Sequence, residues 1–410
     1  MELKDNRYLI QGVELAELAS NYGTPLYVYD ADTIAGQIKR LQKAFHWTTM
    51  RIKYAAKALT NISILRLMKK LGIGLDVVSI QELELALHAG FAPDDIQYTP
   101  NCVDFEEIRK AAEKGVQINI DNLPMLEKFG RTFGSRLPCC IRFNPHIMAG
   151  GHLKISTGHI DSKFGISVLQ ISEITEIVDR YGVTVNGLHV HTGSDIIDTE
   201  VFLKGASILF GVAMHFPDLQ YIDFGSGFKI SYQEGDPATD IEDLGRRMEQ
   251  VFGEFCESYG RSLELWFEPG KFLVSEAGTL LVSANVVKTT PATVFVGVDS
   301  GMNHLIRPMM YDAHHDMVNI SNVNGSTRVY AVVGYICETD TLGWNITLNN
   351  VSEGDIIAIK NAGAYAFSMS SNYNSRLRPA EVLIYKGQAH LIRQRETLDD
   401  LLANQILLDL

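Results

Sequence analysis

The chain has 410 residues, 46% hydrophobic and 21% charged, a size and balance that suggest two domains or one large barrel with an addition. A formal net charge of −13 argues against nucleic acid as a partner, because phosphate backbones are held by clustered Lys and Arg, but leaves a small anionic substrate possible. No apolar run approaches the roughly 20 residues of a membrane helix, so no membrane partner is expected.

The first residues, Met1 to Arg7, lack the apolar core of a signal peptide and the Arg/Ser-rich composition of a transit peptide. Leu26-Tyr27-Val28 has strand character and is expected to join a β domain formed further along. Eight apolar stretches then follow as candidate strands: Lys53–Lys57, Leu75–Ser79, Ile96–Pro100, Gln117–Asp121, Cys139–Pro145, Val185–Gly193, Leu219–Gly227 and Leu263–Gly270. Most are separated by segments of helical periodicity, such as Ile62-Leu65-Leu67-Met68 and Ile171-Ile174-Ile177-Val178. Eight strand–helix repeats predict an α/β fold, a (β/α)8 TIM-type barrel over residues 29–275; a doubly wound open sheet is the competing architecture. From about residue 276 short alternating stretches take over: Thr293–Val298, Arg328–Ile336, Asp355–Lys360 and Glu381–Tyr385. With the turns Asn324-Gly325 and Lys386-Gly387 they predict a mainly antiparallel β domain of residues 276–410 together with 1–28. Cys102, Cys139, Cys140, Cys256 and Cys337 are odd in number and match no zinc or disulfide spacing, which predicts free thiols in a reducing cytosol and no metal.

The candidate strands end in polar residues and glycines, where a parallel barrel carries its chemistry. Lys57 follows Tyr54-Ala55-Ala56, and small neighbours leave room beside its amine for a bulky carbonyl compound; a solvated lysine is the plain alternative. His189 and His191 alternate on one strand face, suited to a metal or to stacking on a flat ring, though no third metal ligand is evident. Asp223-Phe224-Gly225-Ser226-Gly227 offers backbone amides to an anion. Glu268 emerges from Leu265-Trp266-Phe267 and needs a partner or a proton, and Lys271 in Glu268-Pro269-Gly270-Lys271 is the nearest candidate.

An amine, a ring stacker, an anion nest and a buried carboxylate match the parts of pyridoxal 5′-phosphate (PLP). With these motifs in this order over roughly residues 25–390, the chain resembles the alanine-racemase-like barrel enzymes that use PLP, and within them the diaminopimelate decarboxylases. The resemblance implies that Lys57 holds PLP and that His191 and Ser194 stack on its ring and bind its phosphate. It further implies that Gly225 and Gly227 cradle the phosphate and Glu268 faces the ring nitrogen. A racemase of this fold is expected to place a cation there instead, so the carboxylate favours decarboxylation. Gly270 and Lys271 follow in the cofactor segment, Asp76 and Arg142 fall at positions around the cofactor, and Tyr365 in Gly363-Ala364-Tyr365 reaches the phosphate. Arg307, Tyr311, Glu338, Lys271 and Tyr365 are the implied substrate contacts, and Cys337 the implied proton donor. The resemblance implies a homodimer with shared active sites and conversion of meso-2,6-diaminopimelate to L-lysine. Decarboxylation of ornithine, arginine or a carboxylated polyamine, and a non-catalytic PLP carrier, are the alternatives. Three departures bear on substrate choice: Lys271 where the family usually has arginine, Ser226 for a loop glycine, and Thr339-Asp340 after Cys337-Glu338.

Overall fold

The fold is described from a computed structural model over residues 1–147, 158–233 and 235–410. It divides into two compact units, one of Gln37–Ile230 and Pro237–Phe272, the other of Met1–Gly36, Ser231–Asp236 and Leu273–Leu410.

The first unit is a closed parallel barrel of β1 (Met50–Ala55), β2 (Gly74–Val77), β3 (Ile96–Tyr98), β4 (Gln117–Ile120), β5 (Cys139–Asn144), β6 (Val185–Val190), β7 (Tyr221–Asp223) and β8 (Glu264–Phe267). Each strand pairs in parallel with the next, and β8 returns to β1 with Phe267 opposite Ile52, so no edge is left. The open doubly wound alternative is thereby excluded. Helices such as Ile62–Lys70, which buries Ile64, Leu65, Leu67 and Met68, cover the outside with one apolar stripe.

All eight expected strands are present, but most stop short of their polar tails. Ser79 and Asn122 are N-caps, accepting the amides of Glu82 and Met125 at 3.1 and 3.0 Å, and Lys57 sits on the one-turn helix Ala56–Ala58 after β1. A side chain that takes a helix amide draws its backbone out of the strand ladder, which the periodicity of the sequence does not register. Inside the barrel Tyr221 stacks on Trp266 at 3.6 Å, a fit that needs Gly187, where a β-carbon would collide with the tyrosine ring.

The second unit is built on Gly278–Thr289, a 12-residue strand that pairs with Leu26–Asp30, Val294–Val298 and Ile356–Ile359. Among the described residues six of the eight pairings in this sheet are antiparallel and two parallel, so it is mainly antiparallel as expected. Leu26-Tyr27-Val28 lies at its centre, between Gly278–Thr289 and Ala380–Tyr385. Lys386 and Gly387, with φ of 54° and 71°, form the two-residue hairpin turn their sequence announces. Gly278–Thr289, Met317–Asn319, Thr341–Asn349 and Gln388–Arg393 were not expected. The first of these is buried along most of its amino-terminal half and shows no alternation. Among the described residues, no helix is long and apolar enough to cross a membrane.

Candidate active site

Around the carboxyl ends of the barrel strands, one electrostatic neighbourhood gathers Lys57, Asp76, Arg142, His189, Asp223 and Glu268. The Lys57 ammonium stands 3.6 Å from Asp76 Oδ2; the lysine side chain is about two-fifths exposed and the aspartate fully buried. Neither Asp76 oxygen accepts a hydrogen bond from a described residue, so its charge leans on nearby cations. The charges of Lys57 and Arg142 both pull the Glu268 carboxyl toward its anion, against its burial and the charge of Asp76.

Glu268 is the centre of a buried polar set. Gln97 Nε2 donates to Glu268 Oε1 at 2.8 Å and to Asp223 Oδ2 at 3.1 Å, while His189 Nε2 lies 3.0 Å from Glu268 Oε2. Burial, then the negative charge of Asp76, pushes the Glu268 carboxyl up to about 8, and burial pushes His189 down to about 4. Burial thus favours the uncharged form of both members of the pair, the acid of Glu268 and the neutral imidazole of His189. A cation brought to this carboxyl returns it to the anion.

The expectation that Lys271 partners Glu268 is corrected. Lys271 Nζ donates to Asp195 Oδ1 at 2.6 Å, and Glu268 is held by Gln97 and His189. Gln97 escaped the sequence reading; its one signal is an amide between apolar neighbours in Ile96–Tyr98, where a fully buried polar group must have partners. The sequence shows no third metal ligand beside the histidine pair, whereas in the fold His189, Asp223 and Glu268 bring ligand atoms within 4.8 Å of one another. The Gln97 amide protons already point at both carboxylates, an arrangement suited to holding a carboxyl group and unfavourable to a cation between them.

Beside this set the loops after β6 and β7 meet backbone to backbone. Gly225 and Gly227 have φ of 59° and 120°. A β-carbon on Gly225 would lie 2.8 Å from His191 Nδ1, and one on Gly227 would collide with the Gly193 carbonyl. The Ser226 amide donates to His191 Nδ1 at 3.2 Å, so the neutral ring carries its proton on Nε2. Ser194 is half-buried in the same His191–Asp195 segment, and Gly270 is buried just before Lys271.

The remaining sequence candidates lie in the second unit. Arg307 is buried, its guanidinium 5.1 Å above the Tyr232 ring and its Nη1 donating to the Tyr232 hydroxyl at 3.1 Å; Tyr311 ends the same five-residue helix. Tyr365 is half-buried with a left-handed φ of 53°. Cys337 and Glu338 are exposed in a loop, not in the strand expected to run to Ile336, which ends at Val333. The unusual Asp340 explains the loop. Its buried carboxylate accepts the amides of Met302 and Ile336 at 2.5 and 2.9 Å, seated where β-carbons on Gly301 and Gly334 would collide with it.

The family model described as "Pyridoxal-dependent decarboxylase, pyridoxal binding domain" matches residues 31–275. The chain is 37% identical to the diaminopimelate decarboxylase of Methanothermobacter thermautotrophicus, over 99% of this chain and 97% of that one. The chain belongs to the diaminopimelate decarboxylase family. The Bacillus subtilis diaminopimelate decarboxylase is 34% identical over 96% of this chain and 93% of its own. A crystal structure of the M. jannaschii diaminopimelate decarboxylase in complex with L-lysine superposes with a TM-score of 0.92 at 33% identity, covering 99% and 97% of the two chains. Membership in the diaminopimelate decarboxylase family therefore spans both units, and the cofactor is PLP.

Proposed function

We propose that this protein converts meso-2,6-diaminopimelate to L-lysine and CO2 in the cytoplasm, with PLP attached through Lys57. The observation that carries the reading is the half-exposed Lys57, 3.6 Å from buried Asp76, in the same charged cluster as the buried Glu268, whose carboxyl burial raises to about 8. The residues fit the cofactor. Glu268 is a proton-holding carboxyl group fit to face a ring nitrogen, the Gly225 and Gly227 backbone packs against the His191–Gly193 loop at a distance no side chain would allow, and His191 has a set tautomer for ring contact. When bound, PLP supplies an electron sink for the bond that breaks as CO2 leaves.

The chain's own groups do the rest. Gln97 and His189 hold the Glu268 carboxyl in place, Arg142 and Lys57 favour its anion, and Cys337 delivers a proton from sulfur to the carbon that has lost CO2. Arg307, Tyr311 and Glu338 suit a substrate charged at both ends. Lys271 is engaged by Asp195, so it acts with that carboxylate as a unit rather than as a lone cation for substrate.

The test is product analysis on a panel of diamino acids. L-lysine from meso-diaminopimelate is the expected result. CO2 from ornithine, arginine or a carboxylated polyamine, with no lysine from diaminopimelate, would establish the alternative substrate, and PLP binding without any turnover would establish a carrier.

The backbone of the phosphate loop gives a separate check. Gly227→Ala forces a side chain into a left-handed, occupied position and is expected to weaken PLP binding by about tenfold or more, read by titrating cofactor into apoprotein. We further infer a homodimer in which the Cys337–Glu338 loop, exposed in its own chain, completes the neighbour's site. Mixing inactive Lys57→Ala with inactive Cys337→Ala under subunit exchange should then restore about a quarter of wild-type activity, since half of random dimers are mixed and each has one intact site. No recovery in dimers shown to have exchanged would mean sites built within one chain.

A further inference from the structure

Cys337 and Glu338 are held by two residues that no motif singled out. The Cys337 amide donates to Asn374 Oδ1 at 3.0 Å, and Asn374 Nδ2 donates back to Cys337 Sγ at 3.0 Å, a closed two-point clamp on one residue. The neighbouring Tyr373 hydroxyl donates to Glu338 Oε1 at 2.8 Å and lies 4.0 Å from the same sulfur. Asn374 has a left-handed φ of 56°, which turns consecutive side chains toward the pair, and Asn is among the few residues that adopt this conformation at low cost.

Resting on the decarboxylase reading above, we propose that Asn374 and Tyr373 are positioning residues for the reaction: Asn374 orients the Cys337 sulfur and stabilises it once its proton has gone, and Tyr373 fixes the Glu338 carboxylate that meets substrate. The proton balance is simple. The S–H bond of Cys337 breaks as a C–H bond forms on the carbon that lost CO2, leaving a thiolate facing the Asn374 N–H donor, and solvent returns a proton to sulfur. An N–H donor 3.0 Å from sulfur is placed to hydrogen-bond the thiolate that remains. Tyr373 does not serve as the proton source. Its hydrogen bond to Glu338, above other causes, pushes the phenol up to about 12, too weak an acid to reprotonate a thiolate.

The experiment reads the thiol directly, without turnover. Rates of alkylation by iodoacetamide are followed against pH on the Cys337 peptide in full-length protein, with Cys102, the other exposed cysteine, replaced by serine. Asn374→Gly keeps the left-handed backbone and removes the amide; it is expected to raise the midpoint of the Cys337 profile by about half a pH unit or more. Asn374→Asp puts an anion beside the sulfur and should raise it further. Tyr373→Phe is expected to raise KM for diaminopimelate about fivefold with kcat within about twofold, because it frees Glu338 and leaves the sulfur clamped. Unchanged alkylation midpoints in both Asn374 variants, or an unchanged KM in Tyr373→Phe, would overturn the respective assignment. A shifted midpoint in a protein that makes no lysine would leave the clamp standing and remove the substrate assignment.

Discussion

Lys57→Ala is expected to abolish lysine formation, lowering kcat by about a thousandfold or more, and to remove the near-visible absorbance that a lysine-bound pyridoxal gives. The amine of Lys57, on the one-turn helix Ala56–Ala58, is the group proposed to hold the cofactor. It is also the ion partner of Asp76, whose oxygens have no hydrogen bond from described residues, so alanine removes both a covalent anchor and a compensating charge. Lys57→Arg separates the two. A guanidinium keeps a cation beside Asp76 but does not condense with an aldehyde, so it should preserve folding while losing the absorbance and the activity. A Lys57→Arg protein that retained the absorbance band would show that another amine holds the cofactor.

Glu268→Gln should lower kcat by about a hundredfold to a thousandfold with little change in KM, because the amide fills the same space and offers no negative charge to a ring nitrogen. The unliganded protein gives a second reading of the same group. Burial raises Glu268 to about 8 and lowers His189 to about 4, from ordinary values of 4.5 and 6.5. Between about pH 6.5 and 8 the unfolded chain has lost the Glu268 proton while the folded protein still holds it, so stability falls as pH rises through that window. Asp223, raised by burial foremost, acts in the same direction. Below about pH 6.5 the neutral His189 in the folded state opposes the trend, since there the unfolded chain binds the proton. Apoprotein Tm should therefore drop between pH 6.5 and 8, and Glu268→Gln should flatten that drop. A wild-type Tm constant across the window would mean that Glu268 is already ionised, and the neutral-pair description would fail.

Local signals in the chain carried far. Alternation of apolar stretches with helical segments announced eight parallel strands, and the hairpin at Lys386-Gly387 followed from turn chemistry, since both residues need positive φ. Lys57, His191, Gly225, Gly227 and Glu268 were legible as candidates because each is an unexpected residue type at the end of an apolar run. What failed was partner assignment. Lys271 is three residues from Glu268 in sequence yet binds Asp195, while Glu268 is held by Gln97, 171 residues away, and by His189, 79 residues away.

The amino-acid sequence by itself determined the strand–helix rhythm, the turn positions and the inventory of reactive side chains, because these depend on periodicity and on local backbone preference. Only the tertiary structure decided which side chains are neighbours. Closing a barrel brings β3, β6 and β8 around one interior, and the burial that results sets the protonation of Glu268 and His189. Desolvation and long-range pairing are properties of the folded interior, and a one-dimensional pattern holds no record of them.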